Sequence, residues 1–210
     1  MPLQNRVTPW GEIIATPARG TMFGNRGGRI HTPDRNLTKR RWASRAWICC
    51  VLEFKGRQRR IMAPNSYTEL FFLDEATALA AGHRPCFECR RQAALEFFDC
   101  HRIAFGLSQR LKAQAFDELM QADRLDGKQQ RTFEAEIETL PDGTFVQKGG
   151  RAFVLAGELL LEWSVDGYVS AQSKPQSGIV EVLTPRVVVE VLRVGYKPDL
   201  HPSADGPIGA

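Results

Sequence analysis

The chain contains one closely spaced pair of cysteines, Cys86 and Cys89, in the run Cys-Phe-Glu-Cys. Two thiolates separated by two residues can bind one metal ion from a single turn. A helix expected to follow the pair would favour the thiolate form through the positive potential at its N-terminus. The same spacing also occurs in redox pairs, which usually follow a strand of a βαβ unit. Because a helix is expected before this pair, we favour a metal site, with Zn²⁺ as the ion.

A structural zinc site needs four ligands, so two more must come from elsewhere in the chain. His31 directly follows a glycine-rich turn at 24–28, where a short hairpin would present it. Cys49 and Cys50 are neighbours on a predicted strand, and successive side chains of a strand point to opposite faces, so one of the two would face the metal. The predicted ligands are therefore His31, Cys49, Cys86 and Cys89, with Cys50 as the alternative to Cys49.

The remaining cysteine usage argues against a disulfide framework. The chain has five cysteines, an odd number, and two of them are adjacent. The longest apolar runs are far shorter than a membrane span requires, and the first residues lack the apolar stretch of a secretory signal. We therefore expect a cytoplasmic protein with no membrane partner.

Charge is distributed unevenly along the 210 residues, whose net charge is +4. Through Met62 there are 13 basic and three acidic residues, a net charge of +10, so residues 63–210 carry −6. A basic segment beside an acidic one suggests a polyanionic partner, with nucleic acid the commonest case. Trp42 and Trp47 lie among these basic residues, although for Trp42 packing in a core is the preferred interpretation. The predicted nucleic-acid contacts are Arg26, Arg29, Arg35, Arg40, Arg41 and Arg45.

The composition is that of a globular protein, with 43% hydrophobic and 25% charged residues, which excludes a disordered or collagen-like chain. Alternating polar and apolar residues predict early strands. These are 11–15, 21–23, 42–54, 58–63 and 67–73. Three helices should follow, and two of them begin at good N-caps, Asp74 and Ser108. Their predicted ranges are 75–81, 87–105 and 109–125.

In the last third of the chain, apolar and polar residues again alternate with the period of two that is typical of strands, and glycine-containing turns separate the segments. The predicted strands are 133–140, 144–147, 152–155, 158–163 and 178–183. The valine-rich run 187–192 is predicted as a helix, because Thr184 is a good N-cap, Pro185 fits the first helical position and Gly195 fits the stop. The residues after 196 should form a loop-like tail.

Together these elements predict an α+β fold with a small zinc-stabilised hairpin and helix module, a helix and a small β-rich domain. The predicted boundaries are 1–105 for the zinc-binding module, 106–130 for the helical connector and 131–210 for the β-rich domain with its C-terminal helix and tail.

The run from Phe71 to Arg90 resembles the end of the Ada-type zinc-binding domain, the methylphosphotriester-type module. That family has an aromatic strand, an alanine-rich helix and then Ala-Gly-aromatic-Arg-Pro-Cys-x-x-Cys, and here the last part is Ala81-Gly82-His83-Arg84-Pro85-Cys86-Phe87-Glu88-Cys89. Residues 24–31 also resemble the hairpin of shorter Ada-like modules, whose histidine is followed four residues later by a cysteine. Here that position is Arg35.

This resemblance covers about residues 22–91 and implies zinc and DNA binding. It also implies that a zinc-bound cysteine accepts a methyl group from a phosphotriester, although the Cys-x-x-x-Cys pair that carries the acceptor is absent here. The predicted function is a zinc-binding protein that contacts DNA through its basic N-terminal face, with no catalytic residue assigned. The alternatives are a zinc-thiolate enzyme or alkyl acceptor acting on DNA through Cys49 or Cys50, and a non-catalytic protein-interaction module.

Overall fold

The computed structural model describes residues 1–58 and 60–206, which form an α+β fold. This confirms the predicted fold class. In chain order the elements are β1 Gln4–Val7, β2 Ile13–Ala15, β3 Met22–Arg26, β4 Trp47–Val51, β5 Leu70–Phe72, α1 Glu75–Ala80, β6 Arg84–Pro85, α2 Arg91–Ala104, α3 Ala113–Arg124, β7 Leu125–Asp126, β8 Gln129–Gln130, β9 Phe133–Glu136, β10 Phe145–Lys148, β11 Arg151–Ala156, β12 Leu159–Ser164, β13 Gly167–Ser173, β14 Ile179–Val182 and α4 Arg186–Arg193. Across the described ranges, none of the helices combines the length and apolar character that crossing a membrane requires.

The N-terminal sheet has the strand order β2-β1-β5-β3-β4-β6. Strands β3 and β4 are antiparallel, which places Phe23 opposite Cys50. The short strand β6 runs parallel to β4 and pairs Pro85 with Cys49. The residues just before Cys86 are therefore fixed to the edge of the strand that carries Cys49 and Cys50.

The C-terminal sheet is antiparallel, with the order β13-β12-β11-β10-β14-β9. The four strands predicted between 133 and 163 as a meander correspond to β9, β10, β11 and β12, but β9 pairs with β14 and only the last three pair in chain order. The next strand, β13, is absent from the sequence prediction because most of its residues are small or polar. Its pairing with β12, from Leu159 opposite Ser173 to Ser164 opposite Gly167, forms the strand despite that composition.

Helix α1 lies where three clusters of buried side chains meet, and all six of its residues are buried. Leu79 packs with α2, α3 and α4, whereas Ala78 packs with the N-terminal sheet. Ala76 and Ala80 pack with the C-terminal sheet. Alanine suits this position because it is a strong helix former whose small side chain lets neighbouring layers approach closely.

The domain boundaries predicted from the sequence, 1–105, 106–130 and 131–210, stay predictions.

Asp74 caps α1, as predicted, and also anchors the C-terminal tail. Its carboxylate accepts a hydrogen bond from the backbone N–H of Thr77 at 2.8 Å. The same side chain accepts from the Tyr168 hydroxyl at 2.6 Å and from the His201 backbone N–H at 3.0 Å. Burial raises the pKa of Asp74, and these hydrogen bonds oppose that shift. The predicted loop-like tail is irregular over residues 197–206 except for a short 3-10 helix at Pro202–Ala204, residues 207–210 lie outside the described residues, and polar groups hold the tail against the start of α1.

Two predicted helix caps are wrong. Helix α3 begins at Ala113 with Lys112 at the N-cap, so Ser108 does not start it. Helix α4 forms as predicted, because its valines fill the buried side, but Pro185 occupies the N-cap position. The Thr184 hydroxyl instead accepts from the Phe145 backbone N–H at 2.8 Å. The first turn of α4 is hydrogen-bonded by a side chain distant in sequence, because the Asp123 carboxylate accepts from the Val187 backbone N–H at 2.8 Å.

The strand predicted over 42–54 is observed only as β4. The strand predicted over 58–63 does not form in residues 58 and 60–63, and Arg59 lies outside the described residues. Residues 27–46, called here the basic excursion, leave the sheet between β3 and β4. Part of this segment folds back on itself, with a β-bridge between His31 and Leu37. In the turn between them, the Arg35 backbone N–H donates to the Thr32 carbonyl at 2.9 Å.

Candidate functional site

Three cysteine sulfurs converge beside the edge of the N-terminal sheet. The Sγ atoms of Cys50, Cys86 and Cys89 all lie within 4.8 Å of one another, close enough to bind one metal ion. Across residues 1–58 and 60–206, no further histidine, cysteine, aspartate or glutamate joins this group. We call these three residues the cysteine cluster.

The pairing of β6 with β4 positions the cluster. The Cys86 backbone N–H donates to the Cys49 carbonyl at 2.9 Å, which continues the parallel ladder by one residue. The chain then turns, and the Arg90 backbone N–H donates to the Cys86 carbonyl at 3.0 Å. Helix α2 begins at Arg91, later than the predicted start at 87. Both cysteines of the pair therefore lie in a turn, which directs their sulfurs towards Cys50.

Hydrogen bonds within the cluster favour thiolates at two of the three sulfurs. The Cys50 thiol donates towards Cys86 and Cys89, which lowers the pKa of Cys86 to about 5 and also lowers that of Cys89. The same interactions, together with burial, raise the pKa of Cys50. The Glu88 backbone N–H contributes to the stabilisation of the Cys86 sulfur at 3.4 Å. A divalent cation would replace the proton that these sulfurs share.

The surroundings of the cluster are apolar on one side and charged on the other. Phe23, Tyr67 and Phe71 pack with it. On the outer side Arg57 forms an ion pair with Glu88 at 2.6 Å, and both side chains are about half exposed. Cys89 is less buried than Cys50 and Cys86. A metal ion held by these three sulfurs would have a fourth position, and no histidine, cysteine, aspartate or glutamate of the described residues joins the group to fill it.

The structure places Cys49 outside the cluster and Cys50 inside it. Cys49 is completely buried on the opposite face of β4, among Leu70, Phe72 and Ala78. Burial and the nearby carboxylate of Glu75 raise its pKa. The alternative ligand Cys50 therefore takes the place predicted for Cys49, because the face of β4 that carries Cys50 is the one towards the Cys86–Cys89 turn.

His31 also lies outside the cluster, which corrects its prediction as a ligand. Its Nε2 contacts the Ala63 carbonyl at 3.1 Å, and a carbonyl only accepts, so Nε2 carries the hydrogen. Its Nδ1 then accepts from the Thr68 hydroxyl at 2.6 Å. The Thr68 hydroxyl in turn accepts from the Ile30 backbone N–H at 2.8 Å. With both ring nitrogens occupied, His31 ties the basic excursion to the segment before β5.

The arginines on either side of the cysteine pair are buried and ion-paired, which sequence reasoning missed. Arg90 contacts Glu75 through two N–O pairs of 2.5 and 2.7 Å, and the Tyr196 hydroxyl donates to the same carboxylate at 2.6 Å. Arg84 contacts Asp117 through pairs of 2.7 and 2.8 Å. These contacts fix both ends of the turn that carries Cys86 and Cys89, and the local sequence offers no signal for partners so distant along the chain.

Arg26 is the one predicted nucleic-acid contact that the structure buries. Its side chain is only 3% exposed, and its guanidinium carbon lies 4.0 Å from the centre of the Trp47 ring. Its Nη2 donates to the Gly11 carbonyl at 2.9 Å. Arg26 therefore cannot be part of an exposed basic face. The other five predicted contacts, all in the basic excursion, are exposed: Arg29, Arg35, Arg40, Arg41 and Arg45.

Arg124, at the end of α3, also contacts the Trp47 ring, and sequence reasoning missed it. Its guanidinium carbon is 3.8 Å from the centre of the Trp47 ring, and the residue is 2% exposed. A signal was present in the sequence, since Phe116, Met120 and Arg124 follow one another at four-residue intervals and so share one helix face. That face is the buried one.

No family model, no curated protein and no solved structure matches this chain significantly. The resemblance to the Ada-type module therefore stays a prediction, and the functional argument depends on the site itself.

Proposed function

We propose that this chain is a zinc-binding protein that binds DNA through its basic excursion. The observation that carries the proposal is the convergence of the Cys50, Cys86 and Cys89 sulfurs within 4.8 Å. Thiolate sulfurs prefer soft or borderline cations, and zinc is the commonest such ion at closely spaced cysteine pairs.

A metal at this position would have a structural effect. It would join Cys50 of β4 to the turn that leads into α2, two parts of the chain separated by more than 30 residues in sequence. Because the three sulfurs come together only in the folded chain, the free energy of metal binding would add to the free energy of folding. The predicted cytoplasmic location would keep these thiols reduced and available for the metal.

The proposed DNA contact rests on charge and exposure. The basic excursion contains six basic residues and one acidic residue, Asp34, within twenty positions. All six basic side chains are exposed. Exposed guanidiniums bind backbone phosphates and release counterions, which gives affinity without sequence preference.

Metal analysis of the purified protein tests the first half of the proposal. We expect about one zinc ion per chain, and we expect Cys86→Ser and Cys89→Ser to abolish it. Removing zinc with a chelator should lower the melting temperature of the wild-type protein and leave that of the two variants unchanged. A chain that is fully folded without zinc and takes up none when it is added would refute the metal site.

A charge-reversal experiment tests the second half. Arg35→Glu combined with Arg40→Glu should weaken binding to duplex DNA at least about tenfold and should flatten the dependence of affinity on salt. The matched control is Arg19→Glu with Lys148→Glu, which changes the net charge equally at exposed positions outside the basic excursion. Equal losses in both double variants would show a non-specific effect of net charge and would contradict the proposed surface.

One observation favours a second candidate function, alkyl transfer. Cys89 is the most exposed member of a cluster of three sulfurs that leaves one ligand position open. Its thiolate could attack a methyl group of a phosphotriester, so that an S–C bond forms, the C–O bond breaks and the phosphodiester leaves with the electron pair. Mass spectrometry after incubation with methylated DNA would then show one added methylene unit on Cys89, and an unmodified chain would exclude this activity.

A further inference from the structure

A cavity of about 540 Å³ lies between the N-terminal sheet and the β7–β8 hairpin. Its volume is in the range of about 300–1,000 Å³ that is usual for small-molecule sites. Three of the chain's four tryptophans line it, Trp10, Trp42 and Trp47. We call it the aromatic cavity, and it is separate from the cysteine cluster.

Two of the arginines that line the aromatic cavity are buried without a counterion. Arg26 and Arg124 have no carboxylate within ion-pair distance among the described residues. Their hydrogen bonds go to carbonyl oxygens and to neutral side chains: Arg26 donates to Gly11, and Arg124 donates to the carbonyls of Gly82 and Arg45 at 2.8 Å each. The Arg124 Nε is buried, and no acceptor reaches it from the part of the chain that the structure describes.

Among residues 1–58 and 60–206, the other two buried arginines provide a comparison. Arg84 and Arg90 each face a buried carboxylate in a two-point ion pair. A buried charge is costly unless it is paired, so proteins normally supply such a partner. The two unpaired arginines both lie at the aromatic cavity. An anion bound there would provide the missing partner.

The neighbouring groups add positive or neutral character. Burial, with the additional effect of Arg41, lowers the pKa of Arg26 to about 9. Burial also lowers the pKa of Arg124 to about 9, and there the nearby charge of Arg26 adds to the effect. Burial lowers the pKa of His83 well below its usual value, so this histidine is neutral beside Arg26 and supplies no negative charge. The charge of Asp117 acts in the opposite direction on Arg124, but among the described residues neither guanidinium forms an ion pair.

The rim of the cavity has the same sign of charge. Arg41 and Lys128 line it and are exposed, and Glu12 is the acidic residue in the lining. With Arg26 and Arg124, the charged lining has a net charge of +3. Clefts lined by one sign of charge concentrate ligands of the opposite sign.

The tryptophans indicate what else the anion carries. Both guanidinium carbons lie within 4.0 Å of the Trp47 ring centre, so this indole already contacts two cations. Trp42 and Trp10 are half-buried and line the same space. A half-exposed indole beside arginines suits a nucleotide, whose base can stack on the indole while its phosphate contacts the guanidiniums.

We propose that the aromatic cavity binds a nucleotide, with its base against Trp42 or Trp10 and its phosphate facing Arg26 and Arg124. This inference rests on the proposed nucleic-acid binding for the choice of a nucleotide over other aromatic anions. The nucleotide is either free or one unit of a single strand, because both present the same base and phosphate.

Calorimetric titration of the zinc-loaded full chain tests the assignment. We expect saturable binding of dAMP that is at least about tenfold tighter than binding of deoxyadenosine or of inorganic phosphate, since each of these lacks one half of the ligand. Lys128→Glu and Trp42→Ala should each weaken dAMP binding several-fold. Lys148→Glu is the matched control, because Lys148 is exposed, lies outside the basic excursion and does not line the cavity.

Arg124→Met is the most direct variant, and its melting temperature shows whether it folds. If it folds, we expect the loss of dAMP binding to exceed tenfold; if it does not, the exposed Lys128→Glu variant decides. A single-stranded oligonucleotide that binds more tightly than dAMP, and that Lys128→Glu weakens, identifies a strand as the source, whereas tighter binding of dAMP identifies a free nucleotide.

The outcomes separate this inference from the proposed function. No saturable dAMP binding, or equal binding of dAMP and deoxyadenosine, would overturn the cavity assignment even if duplex DNA still binds through Arg35 and Arg40. If Arg35→Glu with Arg40→Glu weakens duplex binding no more than its control does, while dAMP still binds, the basic excursion is refuted as a DNA surface. The nucleotide site is then still supported.

Discussion

Cys49 and Cys50 are adjacent in β4 and face opposite sides of the sheet. Cys50 meets the sulfurs of Cys86 and Cys89, whereas Cys49 is completely buried with its sulfur 4.0 Å from Nη1 of Arg90. A single position along one strand therefore separates a candidate metal ligand from a core residue.

This relationship predicts opposite results for two nearly identical substitutions. Cys50→Ser should abolish zinc binding, because a serine hydroxyl is a poor replacement for a thiolate. Cys49→Ser should keep the zinc content of the wild type and lower the free energy of unfolding by about 1–3 kcal/mol, since a hydroxyl would replace a thiol that packs against Leu70, Phe72 and Ala78. Metal content per chain and urea denaturation of both variants check this. Zinc loss in Cys49→Ser with retention in Cys50→Ser would reverse the assignment.

His31 should behave as a structural residue. His31→Ala should leave the zinc content unchanged, because both ring nitrogens contact Thr68 and Ala63 rather than the metal site. It should lower the free energy of unfolding by about 1–3 kcal/mol, since the buried Thr68 hydroxyl and Ala63 carbonyl lose their partner. Metal analysis and denaturation measure the two effects separately, and loss of zinc from the folded variant would contradict the observed contacts.

The parts of the fold that sequence reasoning anticipated depend on nearby residues. The Asp74 cap, the alanine-rich helix and the Cys86–Cys89 pair are each defined within a few positions. The helix α4 was also predictable, because the flanking Pro185 and Gly195 mark its ends more strongly than its valines favour a strand.

The parts that sequence reasoning missed depend on pairing between distant segments. Alternation along β4 shows that Cys49 and Cys50 differ in face, but only the pairing of β4 with β6 shows which face meets the turn at Cys86. Likewise, a glycine-rich turn suggests that His31 is presented, but it does not reveal that Thr68 accepts and donates hydrogen bonds beside it. Arg26 was counted with the exposed arginines because basic composition alone contains no information on burial.

Breaking the ion pair between Arg84 and Asp117 should be costly, because both side chains are buried and the remaining charge would have no partner. Asp117→Asn leaves the Arg84 charge without its partner and should cost about 3–5 kcal/mol in the free energy of unfolding. The matched control is Glu118→Gln, the next residue on the same helix, whose ion pair with Arg45 spans 3.7 Å and is exposed. That change should cost at most about 1 kcal/mol. Denaturation of both variants checks the contrast, and equal costs would contradict it.

His83 should make the stability of the protein depend on pH. Burial lowers its pKa well below the usual value, and the nearby Arg26 and Arg124 add to the shift, so the folded chain keeps this ring neutral. In the unfolded chain the ring takes up a proton below about pH 6.5. The unfolded state then binds more protons than the folded state, so the contribution of His83 to stability is lost as the pH falls below that value, by about 1.4 kcal/mol per pH unit.

The comparison with His83→Gln isolates this effect from the acid-sensitive thiolates, which both proteins share. The glutamine variant should be less stable near pH 7.5, because it loses the ring contacts with Phe72 and Trp47 at centroid distances of 4.6 and 5.2 Å. Its stability should nevertheless fall less steeply between about pH 6.5 and 5, so the two curves should converge by about 2 kcal/mol over that interval. Urea denaturation at several pH values measures both curves, and parallel curves would show that His83 is protonated equally in the folded and unfolded chains.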